Sequence, residues 1–232
     1  MLGGIKLKVS IILTTLEKNP KTLHSLQHLN FEHEIIFTRI KGLGKARNNG
    51  ARHNKGEILI FLDSNLKINN NIWKHLINVK KNSFIIAHDG SAHGNKPEPI
   101  TQVLAIHKKD FNKVYFSDKI NYSGEDREFF MRAIKKGLTP IFLKPKGFYE
   151  HINHPIRFNK SKLFAIKFML DHAKILVYHG AYVRNYKGFI RWFFPFIWIS
   201  EKKTIRQYTA KIFWSYIRNV FVFYNLIKGV DL

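Results

Sequence analysis

Three features of the first 155 residues predict an α/β fold built on a doubly wound, mostly parallel sheet. Short β-branched apolar runs recur, helical stripes alternate with them, and turn residues separate the two. The order they spell is β-α-β-α-β-α. In sheets of this kind ligands bind beyond the carboxyl ends of the strands.

Val9-Ser10-Ile11-Ile12-Leu13-Thr14-Thr15 reads as a buried parallel strand. Asn19-Pro20 breaks it, and leucines at 23, 26 and 29 predict a helix over 21–29. Glu34 to Thr38 is a second strand, and Gly42 to Lys55 a glycine turn leading into a helix. Glu57 to Leu62 is a third strand that stops at Asp63-Ser64-Asn65, followed by a helix over 69–79. Residues 84–87 and 102–106 are further strand candidates, separated by His88-Asp89-Gly90 with its Asp-Gly turn signal. Glu125 to Lys136 is a helix with Gly137 as C-cap, and 140–143 returns as a strand.

Composition shifts near Pro155, dividing the chain into a domain at 1–155 and a helical, basic-aromatic extension at 156–232. From 155 onward there are 14 Lys/Arg against 3 Asp/Glu, and 19 of the chain's 33 aromatic residues. Residues 161–178, 189–199 and 212–227 read as apolar helical stretches. The whole chain carries a formal charge of +23, which attracts polyanions: nucleic acid, nucleotides or anionic headgroups. Cysteine is absent, which excludes disulfides, thiolate metal sites and cysteine nucleophiles. The first residues lack the apolar stretch of a signal peptide, so a cytoplasmic location is expected.

Four constellations carry candidate chemistry. Asp63 closes an apolar strand, where a carboxylate either ligates a divalent metal bound to nucleotide phosphates or simply starts a turn. Gly42-Leu43-Gly44-Lys45-Ala46-Arg47-Asn48-Asn49-Gly50 offers close backbone approach and phosphate-binding cations, though it fits neither a dinucleotide fingerprint nor a P-loop. Glu125 and Asp126 open a helix, where they serve either as cleft carboxylates or only as partners of the helix dipole. His151, in Glu150-His151-Ile152-Asn153-His154-Pro155, is a candidate metal ligand among 12 histidines, most of which have no such role.

Taken in order, these segments resemble the family 2 glycosyltransferases, a resemblance covering about residues 7–155. It implies a GT-A fold and an inverting transfer from a nucleotide-sugar donor to an acceptor. Asp126 then matches the catalytic base of the Glu-Asp motif, with Glu125 beside it. Asp63 matches the first acid of the DxD metal element, with Asn65 at its third position and His151 as the late histidine, around Mg2+ or Mn2+. Thr14 and Thr15 fall at the nucleotide-contacting end of the first strand. Lys45, Arg47, Asn48 and Arg127 fall in donor- and acceptor-contacting segments. Two positions depart from the pattern. Asn65 stands where an acid is usual, and Thr38-Arg39-Ile40-Lys41 stands where acids usually grip base and ribose.

The extension's apolar stretches are shorter than the roughly 20 residues a span needs, and Arg191, Pro195 and Arg218 interrupt them. Aromatic faces flanked by Lys and Arg suit helices lying in a membrane interface, the alternatives being a cap on the domain or an oligomer contact. An anionic membrane surface and a glycan or lipid-linked acceptor are the expected partners. Two rival classes are a basic nucleic-acid-binding protein, opposed by the acids at 63, 125 and 126, and an inactive GT-A scaffold, suggested by Asn65 and Arg39.

Overall fold

The computed structural model describes residues 9–87, 102–120, 124–143 and 147–152, together with 170, 171, 174, 220, 221 and 224. They divide into two compact units. One holds 9–120 and 125–152, and the other holds Gly124 and the described residues from 170 onward. In the second unit Leu170, Asp171 and Lys174 are helical, with buried Asp171 facing Lys174 at 3.9 Å. The stretches at 189–199 and 212–219, and the His88–Gly90 turn, lie outside the described residues.

The first unit is a six-stranded mixed sheet. Strands β1 (Val9–Thr14), β2 (His33–Thr38) and β3 (Ile58–Asp63) precede a short β4 (Leu66–Ile68). They are followed by β5 (Ser83–Ala87), β6 (Val103–His107), β7 (Thr139–Leu143) and β8 (Tyr149–His151). The order across the sheet is β2-β1-β3-β6-β5-β7, while β4 and β8 pair separately. Only β6 runs against the other strands of the main sheet. Helices α1 (Leu43–Arg52), α2 (Trp73–Leu76), α3 (Lys108–Val114) and α4 (Glu125–Lys135) complete it.

Strand alternation sends apolar side chains to both faces. Ile11, Leu13, Ile60 and Leu62 pack with Leu26, Ile72, Trp73 and Leu76 on one face. Ile12, Leu59, Phe61 and Phe84 meet Ala51, Phe111, Phe116 and Phe129 on the other. Burial on both sides is why β1 and β3 read as continuous apolar runs rather than alternating ones.

Two of the expected helices come out shorter. Residues 21–29 form a 3-10 helix over Lys21–Leu26. Its Thr22 hydroxyl donates to the Asp63 carbonyl at 2.7 Å and accepts from the Leu66 amide at 2.8 Å, so tertiary bonding sets the local geometry. Residues 69–79 form a 3-10 turn over Asn70–Ile72 followed by the four residues of α2. Gly137, at φ +82°, ends α4 as expected.

Candidate active site

The carboxyl ends of β1 and β3 lie side by side, with Thr14 the register partner of Asp63 on one flank and of Thr38 on the other. Above this edge runs α1, whose buried positions are Gly44, Ala46, Arg47, Asn48, Gly50 and Ala51. A Cβ at Gly50 would stand 2.5 Å from the Ile12 side chain, and one at Gly44 2.8 Å from the Ser117 carbonyl. The glycines therefore serve close packing of α1 on the sheet and on the 116–118 segment. That packing drives Arg47 inward.

Arg47 is 2 % exposed and is the centre of the site. Its guanidinium reaches Asp126 at 2.5 Å, Glu125 at 3.2 Å and Asp63 at 3.3 Å. It also lies 5.0 Å from the centroid of the Phe116 ring, which in turn stacks on Phe129 at 4.4 Å. Thus the strand-end acid and the two helix-start acids, 62 and 63 positions apart in sequence, share one cation. Asp63 carries 30 % side-chain exposure and Asp126 19 %, whereas Glu125 carries 8 %.

Among the described residues one cation faces three carboxylates, which leaves that set net negative when all are ionised. Burial, with Asp126 alongside, pushes Glu125 up to about 7 against the pull of Arg47. Burial likewise lifts Asp63 to about 6, opposed by Arg47 and reinforced by Asp126, and solvent at its part-exposed side chain tempers the rise. For Arg47 itself burial works to lower the pKa, but Asp126, Asp63 and Glu125 outweigh it and hold the guanidinium above its ordinary value.

The remaining sequence-predicted residues take varied places. Asn48 is buried, and its side chain donates to the Phe116 carbonyl at 2.7 Å and to Asp118 at 2.8 Å while accepting from the Phe116 amide at 2.9 Å. Its described bonds brace the 116–118 segment. Thr14 is buried with a hydroxyl that has no hydrogen-bond partner among the described residues. The Thr15 hydroxyl accepts from the Glu17 amide at 2.9 Å, and its amide donates to the Thr38 carbonyl at 3.0 Å. Lys45 and Arg127 are exposed, on the first turns of α1 and α4. Asn65 sits in the turn between β3 and β4, and its carbonyl accepts from the Ile152 amide at 2.8 Å. His151 pairs with Leu66 across β4 and β8, so its backbone stands next to that turn.

Among the described residues no three His, Cys, Asp or Glu side chains converge on a metal position. The local chemistry nonetheless suits a divalent cation. Asp63 is part-exposed at the edge of a cluster in which, among the described residues, anions outnumber cations, and the turn bearing Asn65 is tied to the strand bearing His151. Oxygen and imidazole donors of this kind match Mg2+ or Mn2+.

Sequence reasoning missed the site's supports: Phe116, and the Glu128–Arg132 pair on α4. Arg132 donates to both Glu128 oxygens at 2.6 Å, to the Tyr115 carbonyl at 2.8 Å and to the Val114 carbonyl. It also read Arg47 only as a phosphate contact. The available signal was spacing, because Gly44, Arg47, Asn48 and Ala51 fall at i, i+3, i+4 and i+7, a buried helical stripe.

No protein-family profile matches the chain, and no curated protein matches its sequence. Its structure is similar to solved ones. S. aureus TarS 1-349 aligns over 77 % of this chain and 66 % of that fragment, at 16 % identity and a TM-score of 0.52. Of the longer S. aureus TarS chain this chain spans 40 %. Glucosyl-3-phosphoglycerate synthase from Mycobacterium tuberculosis, in complex with Mn2+, uridine-diphosphate and phosphoglyceric acid, aligns over 75 % of this chain and 79 % of that one. Its identity is 14 % and its TM-score 0.56. The six-stranded sheet with its single reversed strand is thus that of the GT-A glycosyltransferase fold.

Proposed function

We propose that the chain is an inverting glycosyltransferase of the family 2 type, moving a sugar from a nucleotide-sugar donor to an acceptor hydroxyl or phosphate. The observation that carries this reading is the Arg47 cluster, which gathers Asp63, Glu125 and Asp126 at the carboxyl edge of a GT-A sheet.

Exposure divides the labour between the two helix-start acids. Asp126, at 19 %, is the carboxylate an acceptor can reach, whereas Glu125, at 8 %, braces Arg47 from inside. Asp126 takes the acceptor proton as the acceptor oxygen bonds to the anomeric carbon. The bond from that carbon to the diphosphate breaks on the opposite face, which inverts the centre. General-base help of this kind contributes roughly 10²–10⁴-fold. Arg47 fixes the orientation of Asp126 through its 2.5 Å hydrogen bond.

Asp63, with Asn65 and His151, would hold a divalent cation, which when bound supplies positive charge to the departing diphosphate. Thr14 and Thr15 would meet the nucleotide at the end of β1. Lys45 and Arg127, both exposed, would contact donor phosphates and acceptor. Glucosyl-3-phosphoglycerate synthase was solved with uridine-diphosphate-glucose and TarS with UDP-GlcNAc. Those structures support a nucleotide-sugar donor for this chain.

The basic-aromatic extension supports a peripheral or monotopic enzyme on the cytoplasmic face of a membrane, acting on a lipid-linked or glycan acceptor. Among the described residues no helix is long and apolar enough to cross a membrane. The donor is tested by thermal melting against a panel of nucleotide sugars with Mg2+ or Mn2+. A true donor raises the melting temperature by mass action and does so only with the cation. A panel in which no nucleotide sugar stabilises the protein contradicts the reading.

A further inference from the structure

The same carboxyl-end edge of the sheet carries exposed aliphatic residues that the transfer chemistry leaves unused. Leu16 is 71 % exposed, Ile40 44 % and Leu43 49 %. They follow the carboxyl ends of β1 and β2 and open α1. The segments bearing them are joined: the Thr15 amide donates to the Thr38 carbonyl at 3.0 Å, and Arg39 donates to the Lys18 carbonyl at 3.4 Å. Between and beside the aliphatic residues stand Lys18, Arg39, Lys41 and Lys45, all exposed, with Glu17 the one acid in residues 16–18 and 39–45.

Phosphates of a nucleotide account for cations here but not for three large aliphatic side chains held in water. Large apolar side chains exposed together on joined segments mark an interaction site. Aliphatic tips interleaved with Lys and Arg have a specific complement: an anionic bilayer, whose headgroups pair with the cations while the tips enter the acyl boundary. A nucleic acid would use the cations and stack on several aromatic rings, whereas the three aliphatic tips offer none and the end of β2 presents the single exposed ring of Phe37.

We infer that this rim, formed by the ends of β1 and β2 and the first turn of α1, is a membrane-contact surface that seats the mouth of the site on anionic lipid. The inference extends the reading of the chain as an enzyme working at a membrane, and it assigns the contact to the sheet's own edge as well as to the extension. An acceptor carried in the bilayer would then meet Asp126 without leaving the headgroup layer.

The absence of cysteine makes the rim testable by a local probe in the full chain. Leu16→Cys and Ile40→Cys each take a single environment-sensitive fluorophore, and Ile134→Cys, at an exposed position on α4, serves as control. The inference predicts a blue shift and brighter emission at 16 and 40 on vesicles of equal phosphatidylglycerol and phosphatidylcholine, and none at 134. Reversing Arg39 and Lys41 to Glu lowers partitioning onto those vesicles by roughly fivefold for each cation removed. Aqueous emission at 16 and 40 on vesicle-bound protein overturns it, as does failure to bind vesicles or an equal shift at 134. A response to single-stranded oligonucleotide in place of vesicles would identify a nucleic-acid surface instead. Donor-induced stabilisation of the same labelled proteins, read without vesicles, registers failure of the transferase reading separately.

Discussion

At its start helix α4 meets Arg47, where one guanidinium serves three carboxylates that are 8–30 % exposed. About two turns later Arg132 serves a single carboxylate, Glu128, which is 0 % exposed, together with two main-chain carbonyls. The second cluster, among the described residues, pairs one cation with one buried carboxylate. The first, among the described residues, has more carboxylates than cations and is part-exposed at Asp63 and Asp126. Buried ion pairs fix an arrangement, and Arg132 ties α4 to the end of α3 in that way. A part-exposed cluster at the rim of a sheet has room for further cations and substrate, at the cost of holding carboxyls above their ordinary pKa values.

Removing the cation of the part-exposed cluster should have the largest effect. Arg47→Ala leaves three neighbouring carboxylates without their shared partner, and loss of one side of a buried pair costs about 3–5 kcal/mol. Chemical denaturation should show a loss of that order, with Arg47→Lys recovering part of it. Arg132→Met should destabilise similarly, by about 3–5 kcal/mol, because Glu128 is stranded in the core. Acid should relieve both, but by different numbers of protons: one at Glu128 in Arg132→Met, and more than one among the carboxyls around position 47 in Arg47→Ala. Acidification should relieve Arg47→Ala as Asp63 and Glu125 protonate from their already raised pKa values near 6 and 7. An equal acid response in the two variants would erase the distinction between the clusters.

Gly50→Ala probes how α1 presents Arg47. The added Cβ meets the Ile12 side chain at 2.5 Å and Thr38 at 3.1 Å, so overpacking of about 1–3 kcal/mol is expected in a melting experiment. Tolerance of the substitution would mean that α1 does not depend on close approach to β1.

The smallest effect is the titration of Glu125. Its carboxyl is raised from 4.5 to about 7, so between those values the folded chain holds a proton that the unfolded chain has released. That group's contribution therefore favours folding more as pH falls from 8 toward 5. Glu125→Gln removes the dependence. The stability difference, wild type minus variant, should move in favour of wild type on acidification, and a difference independent of pH would contradict the burial of Glu125.

The sheet's core was legible because β1 and β3 are buried on both faces and spell continuous apolar runs. Strand direction was not: Val103 to His107 reads as any apolar strand, and nothing in its periodicity marks β6 as reversed. Three-residue β4 and β8 are too short to carry a pattern, and α3 begins directly after β6 with no turn residue between. Within the site, Asp63, Glu125 and Asp126 were legible as acids at element ends. Their sharing of Arg47 was not, since it depends on how closely Gly44 and Gly50 let α1 pack, a tertiary property that a charged residue in a helix does not advertise. The apolar rim at Leu16, Ile40 and Leu43 was equally hidden, because only burial separates an exposed leucine from a core one.

The measurement that bears most directly on the central claim is turnover of Asp126→Asn with the donor that stabilises the wild-type protein. The amide keeps the shape of the side chain and a hydrogen-bond acceptor for Arg47 but cannot take the acceptor's proton. Transfer should fall by roughly 10²–10⁴-fold, with donor-induced stabilisation retained. A variant that folds, binds the donor and transfers sugar at the wild-type rate would show that Asp126 is not the base.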